Sequence, residues 1–218
     1  MSIAENICRL KTELAEANEI DVPELAMLVG KSEFFCVRCA KCCHGESGDN
    51  EVALFPCEVR AIISVSGRSW LNVALPPDSD DFDSSGARHT FEWVLRRKPD
   101  GDCIFLEGGR CIIYEHRPQI CRTYPFHLRG TDLLVYECNS TRTTGFSDQQ
   151  AVLMAMALKR RQVSELEEAI ALFERYVPFK PGPPPYSDTG LIIVHDSEGT
   201  KYVKKSGDGR YDFCQDVG

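Results

Sequence analysis

The run Cys36-Val37-Arg38-Cys39-Ala40-Lys41-Cys42-Cys43-His44 decides how the rest of the chain is read. Four of the eleven cysteines fall within eight residues. A buried cysteine packs as a small hydrophobe, and no core asks for four at such spacing. Two overlapping Cys-x-x-Cys steps followed by an adjacent thiol suit a metal ion or cluster, because each step turns two thiolates toward one centre. Neighbouring side chains in an extended backbone point to opposite sides. Cys42 and Cys43 therefore fit one polynuclear cluster, or two centres, better than a single zinc ion.

A second dense region closes the pattern. It runs Cys103-Ile-Phe-Leu-Glu-Gly-Gly-Arg-Cys111-Ile-Ile-Tyr-Glu-His-Arg117-Pro-Gln-Ile-Cys121-Arg122-Thr-Tyr124-Pro-Phe. Residues 103–106 and 111–114 read as hairpin strands joined by Glu107-Gly108-Gly109-Arg110. Their even separation places Cys103 and Cys111 near one another. Pro118 opens a helical turn that presents Cys121, and a strand over 133–138 ends at Cys138. The candidate metal ligands are thus Cys36, Cys39, Cys42, Cys43, Cys103, Cys111, Cys121 and Cys138, a composite site with half on each stretch. His44, His116 and His127 are competing non-thiol ligands. Metal ligation requires thiolates, and gathering so many demands cations. Arg38, Lys41, Arg110, Arg117 and Arg122 interleave with the cysteines and partly neutralise them. Arg117, Arg122 and Tyr124 are read as cofactor contacts, and Tyr114, Glu115 and His116 as groups that orient the thiols. Zinc and iron–sulfur occupants both remain open on these residues. The spacing matches neither the bacterial ferredoxin run nor a Cys2His2 finger.

Outward from these stretches, Ile3, Ile7, Leu10, Leu14 and Ala17 mark a helix over 3–18, with Ser2 and Glu5 at capping-box spacing. A second helix is expected from Asp21 to Val29, stopped by Gly30. Phe34 and Phe35 anchor the cysteine run, and Gly45 to Asn50 form a turn-rich loop. A short strand at 51–55 precedes a helix opened by Pro56. Residues 76–87 read as a mobile acidic loop, and 89–95 as one strand with Phe91, Trp93 and Leu95 on one face. Ser147 caps a long helical tract whose apolar stripe is Met156, Val163, Leu166, Ile170 and Phe173. Lys159-Arg160-Arg161 reads as a solvated face. Residues 178–186 form a stiff proline-rich linker. A hairpin over 191–203 follows, with a loose tail from Lys204. Cys8 reads as a buried structural thiol, and Cys57 as half-buried.

The expected fold class is α+β: a small cysteine-rich metal-binding domain with short antiparallel strands, flanking helices and a C-terminal hairpin. The organisation reads as N-terminal helices (1–33), the cysteine-cluster domain (34–145), a helical tract (146–177), and the proline-rich linker with hairpin and tail (178–218). A net charge of −8 argues against a general nucleic-acid binder. No apolar run approaches a membrane span, and Met1-Ser2-Ile3-Ala4-Glu5 lacks the charged and apolar regions of a leader. These features place the protein in the cytoplasm, where thiols stay reduced and serve metals rather than disulfides. A protein partner docking on the proline-rich linker and hairpin is the expected interaction. No catalytic triad, phosphate loop or paired-carboxylate site stands out.

The two cysteine motifs, in this order, resemble the YkgJ-type cysteine-cluster family of zinc- or iron-chelating domains. The similarity covers roughly residues 34–140 by the domain-length expectation. It implies a chelated metal: the first expectation is one or two iron–sulfur clusters, 4Fe-4S in type, acting in redox or cofactor-linked chemistry, and the alternative is a zinc-stabilised protein-interaction module. A related group, the flagellin lysine N-methylases, carries a similar cluster. The chain has no flagellin-binding region, glycine-rich cofactor loop or radical-enzyme cysteine run, so a methylase-like activity is a minor alternative.

Overall fold

The computed structural model describes residues 2–32, 34, 36–45, 51–138, 145–185 and 189–214. Phe35, Tyr186 and residues 46–50 of the expected loop lie outside the described residues. In chain order the elements are α1 (Ile3–Asn18), α2 (Val22–Gly30), β1 (Ala53–Leu54), α3 (Pro56–Ser66), α4 (Trp70–Val73), β2 (Ala74–Leu75), β3 (Arg88–Thr90) and β4 (Trp93–Leu95). There follow β5 (Leu106–Glu107), β6 (Arg110–Cys111), α5 (Gln119–Thr123), β7 (Phe126–Arg129), β8 (Asp132–Val135), α6 (Asp148–Arg175), β9 (Leu191–Asp196), β10 (Gly199–Lys205) and β11 (Tyr211–Phe213). The fold is mixed α+β with short antiparallel strands. Its chain divides into two compact units, Met1–Asn50 with Arg97–Ala169, and Glu51–Arg96 with Ile170–Gly218.

The first unit starts from two locally specified helices. Ser2 Oγ accepts from the Glu5 amide at 3.2 Å, and the Glu5 carboxylate accepts from the Ser2 amide at 2.7 Å. Asp21 caps α2 by accepting from the Glu24 amide at 2.8 Å. Gly30 is taken into α2 rather than stopping it, and Lys31 is the cap. Leu25, Ala26 and Val29 of α2 pack with Phe34, with Phe126 and Leu128 of β7, and with Ala151, Ala155 and Leu158 of α6. Phe34 meets Phe126 edge to face, ring centres 5.5 Å apart.

Ser147 and Gln150 cap α6 reciprocally at 3.0 and 3.3 Å. Its buried face differs from the expected stripe. Met156 is exposed at 54 %, while Ala151, Ala155 and Leu158 turn inward. Two alanines let the helix approach α2 and β7 closely, an advantage that hydrophobicity counting does not weigh. The basic run is not simply solvated either. Lys159 donates to the carbonyls of Asn18 and Ile20 at 2.7 and 2.9 Å, closing the end of α1. Arg161 is buried, donating to the Thr123 hydroxyl at 3.0 Å and to Glu165 at 2.6 Å. Cys8, expected to be buried, is exposed.

The second unit carries two sheets, ordered β1-β4-β2 and β11-β10-β9-β3. The single strand expected over 89–95 is two strands in different sheets. β3 runs parallel to β9, with His89 opposite Ile193, whereas β4 pairs antiparallel with β1 and β2. The chain turns between them at Phe91 and Glu92, so Trp93 and Leu95 are buried in one sheet and His89 and Thr90 in the other. The acidic loop is held down rather than mobile. Asp83 Oδ1 accepts from the amides of Ser85 and Ala87 at 2.8 and 3.0 Å. Across from it the proline-rich segment is pinned: the Gly182 amide donates to the Phe82 carbonyl at 2.8 Å, and the Ser84 amide to the Lys180 carbonyl at 3.1 Å. The tail is likewise structured over residues 204–214, since β11 pairs with β10. Cys57 is exposed on α3.

Buried polar groups of this unit pair with each other. Trp93 Nε1 donates to Asp196 at 2.8 Å, and Lys201 holds the same carboxylate at 2.6 Å. A second chain runs from Asp83 to His89 (3.2 Å), His89 to His195 (2.8 Å) and His195 to Thr200 (3.3 Å). Phe179 stacks on His89 with ring centres 3.6 Å apart. Among the described residues, no helix is long and apolar enough to cross a membrane.

Candidate metal centre

The run from Cys36 to Cys43 reaches its shape through two left-handed residues. Arg38 has φ +55° and Ala40 φ +58°. Each Cys-x-x-Cys step therefore contains one residue in a region that L side chains rarely adopt. Such strain tightens the turn between successive thiols. Sequence reasoning had no access to it, because neither position is glycine. A single 3-10 turn over Lys41–Cys43 then carries the adjacent thiols.

Backbone bonds join the two stretches. The Cys103 amide donates to the Cys43 carbonyl at 2.8 Å. Asp102 Oδ1 accepts from the Gly45 amide at 3.0 Å and lies 3.2 Å from His44 Nδ1. The Gly45 amide, with His44 beside it, holds the Asp102 carboxyl below its usual range. His44 is thereby oriented by a carboxylate.

The thiols fall into neighbouring groups. Cys43 shares hydrogen bonds with Cys103 and Cys42, and these push its thiol strongly up. Hydrogen bonding from Cys43 draws the thiols of Cys103 and Cys42 down. Cys111 lies within electrostatic reach of Cys103, Cys42 and Arg117, with burial raising its thiol. The hairpin is shorter than expected, with Leu106 rather than Cys103 opposite Cys111. Cys103 sits in the turn before β5, where it is buried. Tyr114 donates to Cys36 Sγ at 3.8 Å, and its ring lies between Arg38 at 4.1 Å and Arg117 at 3.8 Å. The Tyr124 phenol, raised by burial, also feels the charges of Cys138, Cys42 and Cys39. Cys138 lies beyond the end of β8, and α5 presents Cys121 into a cleft that Cys36, Arg122 and Tyr124 also line. His127, on β7, has its imidazole pushed down by burial and Arg161, and His116 is exposed.

Among the described residues, no three His, Cys, Asp or Glu side chains close into a metal-ready arrangement. The nearest approach is the Cys42–Cys43–Cys103 group, in which Cys43 is within hydrogen-bond reach of both other thiols. Its donor chemistry fits soft-thiolate metals, zinc or iron–sulfur iron, rather than magnesium or calcium. No disulfide joins any of the eleven cysteines.

No curated protein and no solved structure matches the chain. A family profile does match, over residues 35–144, which span every cysteine of the two stretches. The chain belongs to that family, CxxCxxCC, described as "Putative zinc- or iron-chelating domain".

Proposed function

We propose that the first unit chelates one or two iron–sulfur clusters, 4Fe-4S in type with four ligands each, drawn from Cys36, Cys39, Cys42, Cys43, Cys103, Cys111, Cys121 and Cys138, and acts in redox or cofactor-linked chemistry. The observation that carries the reading is the meeting of Cys42, Cys43 and Cys103, adjacent thiols from one stretch with a third from the other. The eight candidate thiols of the two stretches exceed the four that one tetrahedral zinc accepts. When bound, a cluster supplies one-electron redox chemistry. The chain's own residues bind and shield it. Arg117 lends positive charge, Tyr114 donates to Cys36, and Tyr124 faces Cys39 and Cys138. Positive charge and donors near the sulfurs raise a cluster's potential. Zinc is the second reading, as the centre of a protein-interaction module, favoured by Cys111 lying within electrostatic reach of Cys42 and Cys103.

The test is anaerobic purification followed by metal and acid-labile sulfide analysis. Brown protein with iron and sulfide in comparable amounts supports the cluster. Colourless protein with stoichiometric zinc and no sulfide overturns it in favour of the zinc reading.

A further inference from the structure

The first unit holds a cleft of about 410 Å³, within the size range of small-molecule sites. One wall presents three guanidiniums, from Arg38, Arg117 and Arg122. Arg117 donates from Nε to the Cys121 carbonyl at 3.3 Å and from Nη1 to the Tyr114 carbonyl at 2.7 Å. Arg122 donates from Nε to the Arg117 carbonyl at 2.7 Å and from Nη2 to the Glu115 carbonyl at 3.0 Å. These bonds fix both forks against backbone, yet each guanidinium retains further N–H donors. Neither Arg117 nor Arg122 has a carboxylate partner among the described residues. Glu115, the one acid on the wall, sits 3.9 Å from Arg38.

The other wall is mainly apolar: Phe34, Phe146, Leu153, Met154 and Ala157, with Gln150 the polar side chain among them. Leu153 is 59 % exposed, although its neighbours Ala151 and Ala155 are buried. A thiolate centre accounts for nearby positive charge. It does not account for pre-oriented arginine forks facing an open apolar helix face. Bidentate guanidinium geometry matches carboxylate and phosphate oxygens.

We infer that this cleft binds a small organic anion, its carboxylate or phosphate on Arg117 and Arg122 and its apolar body along Leu153, Met154 and Ala157. Cys36 and Cys121 open on the same cleft, so on the metal-centre reading the ligand lies beside the metal. Binding itself follows from the cleft alone.

The test is calorimetric titration of the full chain with hexanoate, hexyl phosphate, hexanamide and inorganic phosphate, with metal and sulfide measured on the same sample. At least one hexyl anion saturates, and hexanamide and inorganic phosphate bind at least about tenfold more weakly. The two hexyl arms tell carboxylate from phosphate recognition. Ala157→Leu, which fills the apolar end, weakens binding about tenfold with metal content and circular dichroism unchanged, and Arg122→Gln weakens binding about tenfold whatever its metal content. Absence of saturation, hexanamide binding equal to the anions, inorganic phosphate binding equal to hexyl phosphate, or unchanged affinity in both variants overturns the inference. Metal-free protein that still selects the anions sinks the metal reading alone, and metal-replete protein that binds neither anion sinks this inference alone.

Discussion

The Cys103 amide donates to the Cys43 carbonyl at 2.8 Å, tying the two thiol-bearing stretches together through backbone. Side chains at these positions are therefore brought near one another by a peptide contact that does not depend on what the sulfurs bind. Close by, a Cβ built on Gly45 would fall 2.7 Å from the Gly101 backbone, and Gly101 itself has φ +85°. The junction needs the absence of side chains at both positions.

Gly45→Ala and Gly101→Ala should each separate the stretches and lower metal content by more than half. Both tryptophans belong to the second unit. Tryptophan fluorescence should therefore stay native while metal is lost. Full metal content in both variants would show that the junction is not what aligns the thiols.

Cys121→Ala should damage metal content about as badly as Cys39→Ala, although the two residues stand on different stretches. Cys214→Ala, in the second unit, should leave it unchanged. Elemental analysis of anaerobically purified variants decides the matter, and intact metal content in Cys121→Ala would refute a composite site.

Trp93→Phe should destabilise the second unit by about 1–3 kcal/mol, because it strips a buried donor from Asp196 and shrinks a fully buried ring. Urea unfolding followed through the remaining Trp70 measures it. A midpoint equal to wild type would mean that Lys201 alone satisfies the Asp196 carboxylate.

Acid should weaken the second unit in two stages. His195 is pushed below the ordinary imidazole value by burial and by His89, with Asp196 opposing. The unfolded chain then binds more protons than the folded one just below about pH 6.5, so stability falls as pH drops from there toward the depressed folded value. For Asp83, burial raises the carboxyl, but bonds from Ser85, His89 and Ala87 together outweigh it and leave it at about 2. Its contribution is present above about pH 3.9 and fades as pH falls toward that lower value. Urea midpoints of wild type and His195→Gln between about pH 7 and pH 5 check the first stage. The variant should show the shallower slope, and parallel slopes would remove His195 as the cause.

What the sequence disclosed was mostly local. Ser2 with Glu5, Asp21, and Ser147 with Gln150 specify helix starts within four residues, and each cap is present. Thiol density is equally local, and the family was recognisable from it. The division of 88–95 between two sheets was not legible, because it depends on β9, far along the chain. The inward face of α6 was misjudged for a similar reason. Alanine gains its value from how closely a neighbouring helix can approach, which only the assembled unit defines. Arg38 and Ala40 gave no sign of their left-handed backbone, and the arginine-lined cleft arises from elements that sequence reading takes separately.

His89 and His195 meet across 106 residues of chain, and the whole segment from Arg97 to Ala169 belongs to the other unit. This nesting sets an order of manufacture. Every candidate thiol of the first unit, Cys138 included, leaves the ribosome before β9 exists. Until then β3 has an unpaired edge and Trp93 lacks its carboxylate partner, the state in which strand-edge association with another chain is most hazardous. A nascent chain is therefore equipped to acquire its metal before its second unit can close, because β9 follows every candidate thiol of the first unit.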